Sequence, residues 1–193
     1  MLVFLGLFVG AYLLGSVPFG LVVTRLCGGA DPRHGGSGNI GATNVSRLAG
    51  KSAGAATLLL DAAKGWLPAY LAWSWLEPWQ AAAVGLAAFL GHVYPIYLKF
   101  KGGKGVATAL GVLLAAAPMG MVIVLAILGG TAWWSGHMSV GSLAGIGSAP
   151  LVMLFLGEPR PLIFSTLAMA LLVVWRHKDN ISRLRNGREH GWR

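Results

Sequence analysis

Acidic residues are scarce in this chain: six Asp and Glu in 193 residues, against fifteen Lys and Arg, with charged side chains only 11% of the total. Soluble domains carry about 25% charged residues, so an ordinary water-soluble fold is excluded. Cysteine is scarcer still. Cys27 stands alone, which permits neither an internal disulfide nor a multi-cysteine metal site; it reads as a small apolar residue near a helix end. His34, His137 and His190 fall at spacings that match no metal-ligand pattern. No Ser-His-Asp order can be argued, and basic patches with interleaved exposed aromatics are missing, which sets nucleic acid aside. The first residues, Met1 to Phe4, lack the positive region of a signal peptide and run straight into an apolar segment.

What the chain has is apolar length. Hydrophobic residues make up 55% of it, mean hydropathy is +0.67, and there are 29 glycines, as expected where helices approach closely in lipid. This predicts an all-α polytopic membrane protein, with residues 1–193 forming a single integral membrane domain. Apolar segments run from about Leu2 to Leu26, Ala53 to Trp75, Trp79 to Leu98, Val106 to Trp134, Val140 to Leu156 and Leu162 to Trp175. The fourth exceeds the ~20 residues that one span needs, and Pro118 and Gly120 sit near its middle.

Charge decides how often that stretch crosses. Basic residues gather at Arg33, Arg47 and Lys51, at Lys99, Lys101 and Lys104, and in a tail holding Arg176, Lys178, Arg183, Arg185, Arg188 and Arg193. All three clusters belong on the cytoplasmic side. Only two short helices hinged near Pro118 bring the tail to the same side as the loops. The expectation is therefore seven transmembrane helices, amino terminus outside and carboxy terminus cytoplasmic; six spans is the other count. Trp73, Trp75 and Trp79 would mark the outer interface, and Trp133, Trp134 and Trp175 the inner one.

Three stretches carry candidate chemistry. In Gly35-Gly36-Ser37-Gly38-Asn39-Ile40-Gly41-Ala42-Thr43-Asn44-Val45-Ser46-Arg47, four glycines in seven residues allow positive φ and inward-turned N–H groups, a concavity suited to phosphate. Ser37, Asn39, Thr43 and Asn44 add short hydrogen-bonding side chains, and Arg47 a planar charged fork. No Walker-type Lys-Ser/Thr follows the last glycine. In Gly91-His92 through Gly103-Lys104-Gly105-Val106, a lysine flanked by glycines opens a helix, where free N–H groups already favour an anion. His92 is expected to bond to a neighbouring helix, and Lys99 and Lys101 to act as interfacial anchors. In Arg176-His177-Lys178-Asp179-Asn180, His177 and Asn180 lie three apart and share a helical face. Asp61 and Lys64, also three apart, are expected to compensate each other inside the membrane.

Together these motifs, with Gly15-Ser16-Val17-Pro18-Phe19-Gly20, resemble the bacterial membrane acyltransferases of the PlsY family over the whole chain. The resemblance implies transfer of a fatty acyl group from acyl phosphate to the 1-hydroxyl of sn-glycerol 3-phosphate, giving lysophosphatidic acid and phosphate, without cofactor or metal. It implies Ser37, Arg47, Lys104, His177 and Asn180 as catalytic residues. Gly38, Asn39, Gly41, Thr43, Asn44, Gly103 and Ser142 are the substrate-binding ones it implies. Ser37, Gly38, Asn39 and Thr43 fall to the acyl phosphate; Arg47, Lys104, Ser142, His177 and Asn180 fall to glycerol 3-phosphate. A bacterial inner membrane, its lipid and the soluble enzyme that makes acyl phosphate complete the expected setting. A transporter of a small phosphorylated anion also needs a basic, glycine-rich site, but it calls for inverted halves, which the sequence does not display.

Overall fold

The computed structural model describes residues 1–191; Arg193, counted above in the basic tail, lies outside them. The described residues form ten α-helices and a short 3-10 turn: α1 (Leu2–Gly15), α2 (Phe19–Leu26), α3 (Ala42–Ala49), α4 (Lys51–Trp75), α5 (Pro78–Val93), the turn Ile96–Leu98, α6 (Val106–Ala116), α7 (Pro118–Ser135), α8 (Met138–Phe155), α9 (Arg160–Arg176) and α10 (Lys178–Arg185). By length and composition α5 with its following turn, α7 and α8 are each able to cross a membrane, and α1 with α2, bent by 44°, make a fourth candidate. Helix α4 is long enough at 25 residues but carries Lys51, Asp61 and Lys64; α9 has 17 residues and α6 only 11.

Prolines place the breaks. Pro18 lacks the N–H that would continue α1 into α2, and the chain bends there. The long apolar stretch is indeed two helices, divided at Ala117, whose φ of −150° leaves the helical region just before Pro118. Pro95 ends the third apolar segment five residues earlier than its composition suggests, because Tyr94 is pushed out of the helical region.

Small residues let the helices meet. A Cβ at Gly65 would strike the Thr108 carbonyl and one at Gly111 the Ala62 carbonyl, so α4 and α6 touch backbone to backbone. Gly15 meets Ala88 and Gly91 meets Tyr12 in the same way, which seats α1 against α5. Phe89, Leu113, Ile146, Met153 and Met169 are fully buried where α5, α6, α8 and α9 converge. Outward faces are apolar too: Val122, Leu125, Phe164 and Leu171 are exposed, a surface made for lipid rather than water.

Candidate active site

The glycine loop folds around one side chain. Asn44, on the first turn of α3 and 2% exposed, donates from Nδ2 to the carbonyls of Pro32 (2.9 Å), Gly35 (3.0 Å) and Asn39 (2.9 Å), and its Oδ1 accepts the Ser37 N–H (2.9 Å). Its bonding capacity is used within the loop, so Asn44 shapes the cradle and does not face the cleft. Gly36 is required twice over: its φ is +58°, and a Cβ would collide with Asn44 Oδ1. Asn39 Oδ1 accepts the Gly41 N–H at 2.8 Å and turns the chain into α3. Asp31 and Arg33 pair at 2.6 Å on the rim, and the Arg33 hydrogen bonds hold the Asp31 carboxyl down at about 2. Beneath, Gly20 packs on the Ile40 carbonyl, so the bend between α1 and α2 sets the height of the loop.

The lysine loop is held from two sides. Arg176, at the end of α9, donates from Nε to the Gly103 carbonyl (3.2 Å) and from its terminal nitrogen to the Gly102 carbonyl (2.5 Å). The Gly103 N–H donates to the His92 carbonyl at 3.1 Å, and the His92 ring lies where a Gly103 Cβ would be. Lys99 and Phe100 adopt left-handed conformations (φ 51° and 62°), costing roughly 1–2 kcal/mol each; their N–H groups bond to the Ile96 and Pro95 carbonyls. The loop so fixed presents Lys104 just before α6.

Lys104 Nζ donates to Asn180 Oδ1 at 2.5 Å. Asn180 Nδ2 donates to Glu189 Oε1 at 2.5 Å, and Arg183 Nε to Glu189 Oε2 at 2.7 Å. Ser139, buried at the start of α8, adjoins the same carboxylate. Burial opposes the Glu189 charge, but these donors outweigh it and hold its carboxyl below the usual glutamate range. Burial lowers the Lys104 ammonium to about 8, with Glu189 opposing and Arg183 assisting. His177 is 2% exposed; burial first and then the Lys104 charge lower it to about 4, against the pull of its Nδ1 bond to the Val173 carbonyl (2.8 Å). The imidazole is therefore neutral at physiological pH. With Nδ1–H on Val173, its Nε2 is left as an acceptor.

These elements enclose a cleft of about 440 Å³ that brings Ser37, Gly38, Asn39, Lys104 and Asn180 together with Arg176 and Arg183. Arg47, on α3, is outside the cleft lining and exposed, donating to the His190 carbonyl at 3.3 Å; its charge reaches Lys104. Buried His177 is outside the cleft lining, between Arg176 and Lys178, which belong to it. Gly41 caps α3, Gly103 is buried in the lysine loop, and Thr43 is exposed on the first turn of α3. Ser142 is outside the cleft lining, and its hydroxyl donates to the Met138 carbonyl at 2.8 Å. Among the described residues no group of three or more His, Cys, Asp or Glu could hold a metal ion. Sequence reasoning missed Arg176 and Glu189 as site-building residues. The signal for Arg176 was its place beside His177; nothing local marked Glu189.

Known proteins resemble this chain in sequence and backbone. The family model for glycerol-3-phosphate acyltransferase matches residues 5–187. The glycerol-3-phosphate acyltransferase of Geobacter metallireducens is 50% identical, over 98% of each chain. That of Aquifex aeolicus is 43% identical, over 93% of this chain and 94% of its own. A crystal structure of PlsY (YgiH), an integral membrane glycerol 3-phosphate acyltransferase in its glycerol 3-phosphate form, superposes with a TM-score of 0.95 at 42% identity, over 98% of this chain and 96% of its own. The lysophosphatidic acid form gives 0.93 at 41%, over 98% and 95%. Matched along nearly its whole length in both sequence and backbone, this chain belongs to the PlsY family of integral membrane glycerol-3-phosphate acyltransferases.

Proposed function

We propose that the acyl donor is acyl phosphate and that the chain transfers its acyl group to the 1-hydroxyl of sn-glycerol 3-phosphate at the cytoplasmic face of a bacterial inner membrane. One observation carries this reading: Lys104 stands between the glycine loop and Asn180 in a cleft lined by further arginines. Two phosphorylated substrates bring about three to four negative charges together, and a shared cation between two anion cradles answers that repulsion.

In this reading the phosphoryl group of acyl phosphate rests on Ser37, Gly38, Asn39 and Thr43, near the positive start of α3. Arg47, Lys104 and Asn180 take glycerol 3-phosphate, with His177 and Ser142 supporting its backbone. Neutral His177 accepts a hydrogen bond at Nε2 and orients the attacking hydroxyl. That oxygen bonds to the acyl carbon, the carbon–oxygen bond to phosphate breaks, and the hydroxyl proton leaves on the departing phosphate. A mixed anhydride needs no covalent enzyme intermediate, so proximity and charge stabilisation supply the acceleration. Residues 1–193 act as one membrane domain of seven spans: α1 with α2, α4, α5, α6, α7, α8 and α9. The division of the long apolar stretch at Ala117 supports that count. The soluble enzyme that makes acyl phosphate delivers it to this face.

The test uses purified protein in detergent with synthetic acyl phosphate. Phosphate release that requires glycerol 3-phosphate, with lysophosphatidic acid formed one for one, is the expected result. Turnover with acyl-CoA but not acyl phosphate would overturn the donor assignment, and absence of any phosphate release is what a transporter would give.

A further inference from the structure

We infer that Asp61, Lys64 and His92, buried among the helices below the cleft, are positioning residues for acyl transfer that keep the glycine loop and the lysine loop in register. The inference rests on the site reading above and names the machinery beneath it.

The three side chains are 2%, 3% and 4% exposed. Lys64 Nζ lies 2.8 Å from Asp61 Oδ1, and His92 Nδ1 lies 3.6 Å from the same oxygen. A plain helix-stabilising ion pair would end there. This one reaches outward along two arms. On one arm Lys64 Nζ donates to the Val17 carbonyl at 2.8 Å and sits 5.6 Å above the Phe19 ring. Val17 and Phe19 flank Pro18, the bend between α1 and α2, so Lys64 grips the chain where its helical bonding is interrupted. Two residues on, Gly20 carries the Ile40 carbonyl, the end of the glycine loop.

On the other arm the His92 carbonyl accepts the Gly103 N–H, and its ring fills the space against Gly103, next to Lys104. The Asp61 carbonyl accepts the Thr108 hydroxyl at 2.9 Å, anchoring the first turn of α6 behind the same loop. The Ser16 hydroxyl, beside the bend, accepts the Ile96 N–H at 3.4 Å, a second strut between the two arms. The cluster thus fixes the distance between Ser37 and Lys104 without touching either substrate. A misplacement of ~1 Å there is enough to lower turnover ~100-fold.

Burial makes the pair a poor stabiliser in itself. Replacing both members of a buried ion pair by well-packed apolar residues of similar volume is often neutral for folding, whereas removing one is costly. That separates the two roles. Single Lys64→Met should fold poorly. The double variant Asp61→Leu/Lys64→Met should regain a melting temperature near wild type, yet kcat/KM with glycerol 3-phosphate should remain about 10- to 100-fold down per folded molecule. Double variant and wild type with equal kcat and KM would overturn the inference. Should the double variant not fold, His92→Gln decides. It should raise KM for glycerol 3-phosphate several-fold at an unchanged melting temperature, and unchanged kinetics, or a loss that only follows the folded fraction, would overturn the proposal. Wild-type protein in the same assay reports separately on the acyl-transfer reading: if it is silent, that reading fails, not the positioning role.

Discussion

Lys104→Ala removes the cation that the proposed mechanism sets between the two substrate cradles. In the protein it makes one charge-assisted hydrogen bond, 2.5 Å to Asn180 Oδ1, of a kind worth ~1.5–3 kcal/mol. Opposite a phosphate at about 4 Å, with an effective dielectric of ~20, its charge is worth about 4 kcal/mol. A loss of roughly 2–4 kcal/mol of transition-state stabilisation corresponds to a fall of ~30- to ~1000-fold in kcat/KM. The proposed contact with both phosphates spreads the loss, so KM for glycerol 3-phosphate should rise while kcat falls. The assay is phosphate release at saturating acyl phosphate with glycerol 3-phosphate varied. Lys104→Arg keeps the charge and should recover part of the activity, because a flat fork does not reproduce a point ammonium. The pH profile gives a second reading. With its ammonium lowered to about 8 by burial, Lys104 loses its charge as pH rises through that value, so kcat/KM of wild type should decline there. Arginine stays charged, and the alkaline limb should vanish in Lys104→Arg. Lys104→Ala within threefold of wild type, or an identical alkaline limb in the arginine variant, would refute the assignment.

Other outcomes follow from neighbouring geometry. His177 is lowered to about 4 by burial from an ordinary 6.5 when unfolded, so between those values the unfolded chain binds the extra proton; its contribution to stability is full above about 6.5 and lost as pH falls toward 4, which thermal melts of wild type against His177→Gln should reveal. The same neutral state predicts no acid limb from His177 between pH 5 and 7 in kcat/KM, once the substrate's own phosphate ionisation near ~6 is accounted for. Asn44→Ala removes four hydrogen bonds from the glycine loop and should raise KM for acyl phosphate ~10-fold or more, at about 1–3 kcal/mol for each buried group left unpaired; steady-state kinetics with varied donor measure it. Arg176→Lys cannot reach the Gly102 and Gly103 carbonyls together and should weaken glycerol 3-phosphate binding while leaving the acyl phosphate KM largely intact.

Much of the site was legible because its chemistry is local. Glycines at 35, 36, 38 and 41 suggested a backbone cradle, and Gly36 and Gly38 do take positive φ; a lysine between glycines at the head of a helix suits an anion on local grounds alone. Pro118 announced the division of the long apolar stretch, since proline lacks an N–H and disfavours the helical region in the residue before it, whereas Pro68 and Pro150 are carried inside unbroken helices. The pairing of Asp61 with Lys64 followed from their three-residue spacing and the cost of lone charges in lipid. What could not be read were partners from far along the chain. Arg176 grips carbonyls 73 and 74 residues before it. Asn44 looks like a ligand donor in sequence, and only the loop's return past Pro32 turns it inward. Glu189, one of the few acids, reads as tail charge until α10 brings it to Asn180. His92 was expected to meet a neighbouring helix and does so at Asp61, but its backing of Gly103 depends on the turn at Pro95.

A single face for the cup is the claim on which the rest depends. In a Cys27→Ser background, single cysteines at Ser37, Lys101 and Lys178, all lining the cleft, can be probed with a membrane-impermeant maleimide in inside-out and right-side-out vesicles. All three should label only from the cytoplasmic side, and glycerol 3-phosphate with a non-hydrolysable acyl phosphate analogue should slow each reaction. Labelling of any one of them from the opposite side would contradict a shared site for two phosphorylated substrates.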